Sequence, residues 1–296
     1  MTATLLPSSA PLVDAEWLKT HHSHPNLIVL DVRIGPQAHD AYGSPHTSGA
    51  AGFERDGHIP GSRFMDLLTE LSDPTARFPF TRPKNDALRE AAQRVGICER
   101  NVLVVYDSLS GAWAARAWWV LRAYGHRNVH VLNGGLIAWR AAGGLLEYGP
   151  AAAPARGDFQ PVARDGYFVD THETLTALER PTEIRLICAS RSSEFTGEGS
   201  DEARRGHIPQ SFSVPYRQLL DVQGRLELGR VKSEAMRLGL NKGVESILYC
   251  GGGVNAAGLA LGLLVAGYSA VQVYDGSLNE WRADPSLPLE LGPEST

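Results

Sequence analysis

Four short segments occur twice in the same order, and this repetition constrains the fold of the 296-residue chain more than any other feature. Asp31-Val32-Arg33 answers to Ala189-Ser190-Arg191, and Gly57-His58-Ile59-Pro60-Gly61 to Gly206-His207-Ile208-Pro209-Gln210. Val104-Val105-Tyr106-Asp107 answers to Ile247-Leu248-Tyr249-Cys250, and Asn133-Gly134-Gly135-Leu136 with Trp139-Arg140 to Asp275-Gly276-Ser277-Leu278 with Trp281-Arg282. The separation shrinks from 158 residues at Asp31/Ala189 to 142 at Asn133/Asp275, so the second copy has shorter loops. A conserved order with a slowly shrinking offset marks a duplicated folding unit. The expected organisation is an N-terminal domain over 12–145, a linker over 146–165 and a C-terminal domain over 166–290. Pro150-Ala151-Ala152-Ala153-Pro154 and its surroundings offer few core-forming residues, so the linker is expected to be exposed.

Within each copy, short apolar runs alternate with helical patterns. Leu27–Leu30, Val102–Tyr106, Val129–Leu132, Leu186–Cys188 and Val271–Tyr274 read as strands, and Ala87–Val95 and Trp113–Ala123 as helices. That alternation predicts an α/β fold, each copy a parallel-rich sheet flanked by helices. Trp113, Trp118 and Trp119 fall at helical spacing and are expected in the core or at a domain interface.

Charge narrows the function. With 28 Lys and Arg against 33 Asp and Glu and no basic run, neither nucleic acid nor an anionic membrane surface is an expected partner. The apolar stretch from Ala256 to Ala266 is too short to cross a bilayer. Met1 to Leu12 lacks the basic and apolar regions of a secretory signal. The three cysteines, Cys98, Cys188 and Cys250, form neither a disulfide framework nor a metal-ligand spacing. No metal or cofactor is expected, and a reducing cytoplasm is the expected setting.

The chemistry concentrates at Cys250. The strand Ser246-Ile247-Leu248-Tyr249 runs into this cysteine, then into Gly251, Gly252 and Gly253, and then into a helix from Val254, Asn255 and Ala256 onward. A thiol at a strand tip before a helix start meets converging backbone N–H groups and the positive end of the helix dipole. Such a setting predicts a lowered thiol pKa, and the glycines allow the loop to curl into an anion-binding nest.

These residues resemble the tandem-domain rhodanese (sulfurtransferase) family over roughly residues 12 to 290. The D-x-R start, the G-H-I-P-G box, the strand ending in a loop nucleophile and the closing G-x-x-x-W carry the resemblance. It implies that the N-terminal domain is catalytically silent, with Asp107 in place of cysteine, and that the site lies in the cleft between the domains. It further implies that Cys250 takes a sulfane sulfur from a small anionic donor, thiosulfate or 3-mercaptopyruvate. The sulfur is held as a persulfide and passed to a thiol or cyanide acceptor, a thioredoxin-like protein among the candidates. The loop from Gly251 to Ala256 would stabilise the persulfide, and Arg191 would bind the donor's anionic group. Arg204 and Arg205, just before the second G-H-I-P box, would add positive potential, with Arg205 the candidate donor contact.

The loop departs from both branches of the family. Thiosulfate-type loops carry basic residues where Gly251 and Gly252 stand, and mercaptopyruvate-type loops carry serine where Gly252 stands. Asn255 replaces the usual threonine, either donating to the sulfur or capping the following helix. Ala189 replaces the aspartate of D-x-R. His58 and His207 sit in matching boxes of copies only one of which has a nucleophile, so a structural role is expected. A cysteine phosphatase would need an arginine six residues past the cysteine, and that position is Ala256. A persulfide carrier or docking module receiving sulfur from a partner protein remains the alternative.

Overall fold

The computed structural model describes residues 10–35, 46–198, 203–241 and 244–294. Met1 to Ser9, most of the segment read above for a signal, lies outside them. The chain divides into two compact units, Met1–Asp73 with Pro83–Ala163 and Val222–Arg225, and Pro74–Arg82 with Arg164–Asp221 and Leu226–Thr296.

In the first unit β1 (Leu12–Val13), α1 (Ala15–His21), β2 (Leu27–Asp31), α2 (Ala50–Asp56) and β3 (Arg63–Phe64) come first. There follow α3 (Asn85–Arg94), β4 (Val102–Tyr106), α4 (Ala112–Ala123), β5 (Val129–Leu132) and α5 (Gly135–Ala141). The second unit repeats the plan with β6 (Phe168–Val169), α6 (Thr171–Leu178), β7 (Ile184–Cys188), α7 (Ser192–Thr196) and β8 (Phe212–Ser213). It closes with α8 (Leu228–Arg237), β9 (Glu245–Tyr249), α9 (Val254–Val265), β10 (Val271–Tyr274) and α10 (Ser277–Ala283). The sheets have the orders β1-β5-β4-β2-β3 and β6-β10-β9-β7-β8, parallel throughout. The duplication seen in the sequence is thus a duplication of topology, and the expected α/β architecture is what forms.

The central strands are apolar on both faces because helices cover both. Val102–Tyr106 and Glu245–Tyr249 are buried along nearly their whole length, and α4 and α9 beside them are buried almost all round. Trp118 and Trp119 are fully inside, Trp118 donating its indole N–H to Val129 O at 2.8 Å. Each central strand ends in a buried tyrosine that ties it to a His-Ile-Pro turn: the Tyr106 hydroxyl accepts from Ile59 N–H and that of Tyr249 from Ile208 N–H, both at 3.1 Å.

The stretch 146–165 is exposed along most of its length, as expected, but it is tied down by its backbone. Gly157 N–H donates to Gln93 O, Phe159 N–H to Ile97 O and Val162 N–H to Tyr124 O, so this segment is laid along the first unit. Phe159 is fully buried, its ring edge-on to His126. One aromatic side chain supplies the anchor that the surrounding Pro and Ala residues lack.

Candidate active site

Parallel strands place their C-terminal ends on one edge, the usual ligand edge of such a sheet. Cys250 follows β9 directly, and Arg191 lies three residues past β7, the strand paired with it through Cys188 and Tyr249. The thiol is buried, 3% exposed. The N–H groups of Ala256, Gly252 and Asn255 are directed at it. Among the three loop glycines only Gly253 has a left-handed φ, +77°, and as N-cap of α9 it turns the chain into the helix. The helix therefore starts at Val254, and Asn255 sits inside its first turn, with no side-chain cap at Gly253. The capping role considered for Asn255 is not what the structure shows, while its backbone N–H joins the cradle.

The expected lowering of the thiol pKa is reversed. Burial pushes the Cys250 thiol above its ordinary value. The N–H groups of Ala256, Gly252 and Asn255 pull it down, and the Glu194 carboxylate adds to the upward push. The loop is built to hold a negative sulfur, but desolvation outweighs it in the resting thiol.

Glu194 escaped the sequence reading. It lies in α7, three residues beyond Arg191, and its Oε1 stands 3.7 Å from where a Cβ on Gly251 would lie. It is held by Arg282 of α10, 3.6 Å away, whose other guanidinium nitrogen donates to Gly206 O. Its spacing from Arg191 along one helical turn was the available signal. Gly252 is walled in differently: a Cβ there would come within 3.1 Å of Asn279 Nδ2 and 3.3 Å of Phe80 Cδ2. Phe80, buried and at φ +65°, belongs to the segment Pro74–Arg82 of this same unit, which no pattern in the sequence links to the loop.

The two copies treat the D-x-R arginine in opposite ways. Arg33 forms a buried two-pronged pair with Asp31 and also donates to Gly52 O and Gly57 O. In the second copy Ala189 cannot form that pair, and Arg191 is exposed at the start of α7. Arg204 is committed to carbonyls of Trp281, Arg282, Asp284 and Leu287. Arg205 is exposed beside Gly197, in the segment that enters β8.

The remaining polar candidates are structural. His58 and His207 are buried, stacked on Phe53 and Phe195 at 3.7 and 3.6 Å, with Nδ1 bonded to those residues' carbonyls. Cys188 is fully buried, and burial pushes its thiol up to about 12. Among the described residues no cluster of His, Cys, Asp or Glu is arranged to hold a metal, and no helix is long and apolar enough to cross a membrane.

The model of the rhodanese-like domain matches residues 14–142 and again 172–284. A protein of Mycobacterium tuberculosis provisionally named thiosulfate sulfurtransferase SseB is 36% identical over 274 residues, covering 89% of this chain and 90% of that protein. The 3-mercaptopyruvate sulfurtransferase of Escherichia coli K12 is 31% identical over 290 residues, covering 96% and 99%. The crystal structure of SseA from Escherichia coli, a 3-mercaptopyruvate sulfotransferase with the rhodanese fold, superposes with a TM-score of 0.79 over 91% of this chain and 99% of that one. Two copies of the rhodanese-like domain, a cysteine at the tip of the second copy's central strand and relatives named as sulfurtransferases that match along most of their length place this chain in the rhodanese family.

Proposed function

We infer that this protein, a sulfurtransferase by family, moves a sulfane sulfur from a small anionic donor to a thiophilic acceptor through a persulfide on Cys250. The thiolate attacks the donor's transferable sulfur. With thiosulfate the S–S bond breaks and sulfite leaves with the electron pair. With 3-mercaptopyruvate the C–S bond breaks, and the enolate of pyruvate leaves and takes up a proton. Cyanide or an acceptor thiolate then attacks the outer sulfur, and Cys250 returns as thiolate. This is covalent catalysis that splits one transfer into two.

The observation that carries this reading is the buried cradle of N–H groups from Gly252, Asn255 and Ala256 around a single thiol. Donors fixed in advance lower the cost of charge that develops on the sulfur. The first copy supports the argument: Asp107, at the same strand tip, is fully buried and accepts from Leu109, Gly111 and Ala114 N–H at 2.9–3.0 Å. A carboxylate oxygen cannot carry a sulfane sulfur, so that copy, residues 12–145, is assigned as catalytically silent.

Arg191 is the anion contact in this reading, its planar fork suited to a carboxylate or a sulfonate-like head. Arg205, exposed beside Gly197, is the second candidate contact for the donor. The uncharged loop with Glu194 beside it favours the monoanionic 3-mercaptopyruvate over the thiosulfate dianion. The acceptor is a thiol or cyanide, with a thioredoxin-like protein as one such thiol, in a cytoplasm that keeps Cys98, Cys188 and Cys250 reduced. Steady-state turnover of purified protein with each donor and cyanide tests the reading. Transfer from 3-mercaptopyruvate exceeding that from thiosulfate is expected, and no turnover with either overturns it.

A further inference from the structure

The loop that carries Cys250 is gripped from below by the first turn of α10. Cys250 N–H donates to Ser277 Oγ at 3.3 Å, and that hydroxyl donates to Tyr274 O at 2.8 Å. Leu278 N–H donates to Cys250 O, and Asn279 N–H to Gly251 O, both at 2.9 Å. The Asn279 side-chain amide lies against Gly252.

Ser277 is fully buried and holds φ +50°. A non-glycine residue there is uncommon, and such conformations persist where the surroundings over-determine them, often at functional sites. Among the described residues the non-glycine positive-φ positions are Phe80, Gln210 and Ser277, and two of them border this loop.

The duplicated copy serves as an internal control. Gly135 stands in Ser277's place with nearly the same φ, +51°, and Ile137, 41% exposed, stands in place of Asn279. Leu136 N–H donates to Asp107 O at 2.9 Å, as Leu278 does to Cys250. A Cβ at Gly135 would approach Asp107 O to 2.3 Å, so the first copy needs glycine there. The backbone clamp is common to both copies, and the two polar side chains occur in the one with a thiol.

We propose that Ser277 and Asn279 are positioning residues that hold the Cys250 loop in its sulfur-accepting geometry. Ser277 fixes the amide of the nucleophile itself, and Asn279 fixes the next turn of the loop, so that the N–H groups of Gly252, Asn255 and Ala256 stay aimed at sulfur. This rests on the assignment of Cys250 as the sulfur carrier.

Ser277→Gly can adopt φ +50° without strain, and the first copy already carries glycine there, so the variant is expected to fold. Asn279→Ile copies the first copy's residue. In both variants the rate of sulfur loading onto Cys250 from 3-mercaptopyruvate should fall about tenfold to a hundredfold, the scale of an ångström-sized misplacement, with donor KM nearly unchanged. Alkylation of Cys250 by iodoacetamide should shift along the pH axis in the same variants, a readout that requires no donor. Loading at the wild-type rate, a loss confined to KM, or an unmoved alkylation profile in both variants overturns the proposal. Wild-type protein that gains no sulfur on Cys250 overturns the assignment of the carrier instead, and the alkylation profile still judges the clamp.

Discussion

Asp107 and Cys250 occupy the same station in two copies of one fold, each directly after a central strand and each facing N–H groups of the loop and helix that follow. One copy holds a carboxyl group in its cradle, and the other holds a thiol. Burial pushes both groups above their ordinary values, while the surrounding N–H groups pull both down.

The pH dependence of Cys250 reactivity follows from that balance. Since the thiol is pushed up, thiolate is the minor form at neutral pH, and alkylation should accelerate as pH rises through the neutral and alkaline range. Glu194→Gln removes a charge that adds to the push, so its profile should move to lower pH. Iodoacetamide alkylation of Cys250 across pH checks this, and an unmoved or upward-moved profile contradicts it.

The two loop glycines should respond differently to added charge. Gly251 has ordinary van der Waals room next to Glu194, so Gly251→Arg should fold and raise the thiosulfate to 3-mercaptopyruvate ratio of kcat/KM roughly tenfold, about one charge-assisted contact. Gly252→Lys must displace Asn279 or Phe80 and should slow sulfur loading with both donors. Donor kinetics with circular dichroism separate the two outcomes.

Arg191→Ala should raise the donor KM about tenfold to a hundredfold, the equivalent of about 1.5–3 kcal/mol from one lost charge-assisted hydrogen bond. Alkylation of Cys250 by neutral iodoacetamide should change far less. Unchanged donor kinetics would assign Arg191 to structure and leave the anion contact to another cation.

The repeat, the parallel-rich α/β pattern and the cysteine at a strand tip were legible because each is written in local sequence. What escaped was set by distant packing. The thiol pKa depends on burial and on Glu194, neither of which the Cys-Gly-Gly-Gly pattern reports. Phe80 reaches the loop from a segment more than 160 residues upstream. Phe159 lies in a stretch with no periodicity, so nothing local marked it as core.

That last residue gives a stability prediction. Phe159→Ala should destabilise the first unit by about 3–5 kcal/mol, as for a buried aromatic, although its surroundings read as a linker. His126, edge-on to Phe159, has its imidazole held down to about 4 by burial, against about 6.5 in the unfolded chain. Between those values the unfolded chain binds more protons, so stability should be fully present above about pH 6.5 and be lost as pH falls toward about 4. Urea unfolding across that window checks the sign, and His126→Gln should flatten it.

The central claim is that sulfur passes through Cys250. Mass spectrometry of protein treated with 3-mercaptopyruvate, before and after cyanide, tests it most directly. One added sulfur on the Cys250 peptide, removed by cyanide and absent in Cys250→Ser but present in Cys98→Ser and Cys188→Ser, is the result the account predicts. Sulfur on Cys98 or Cys188 instead, or undiminished transfer by Cys250→Ser, would contradict it.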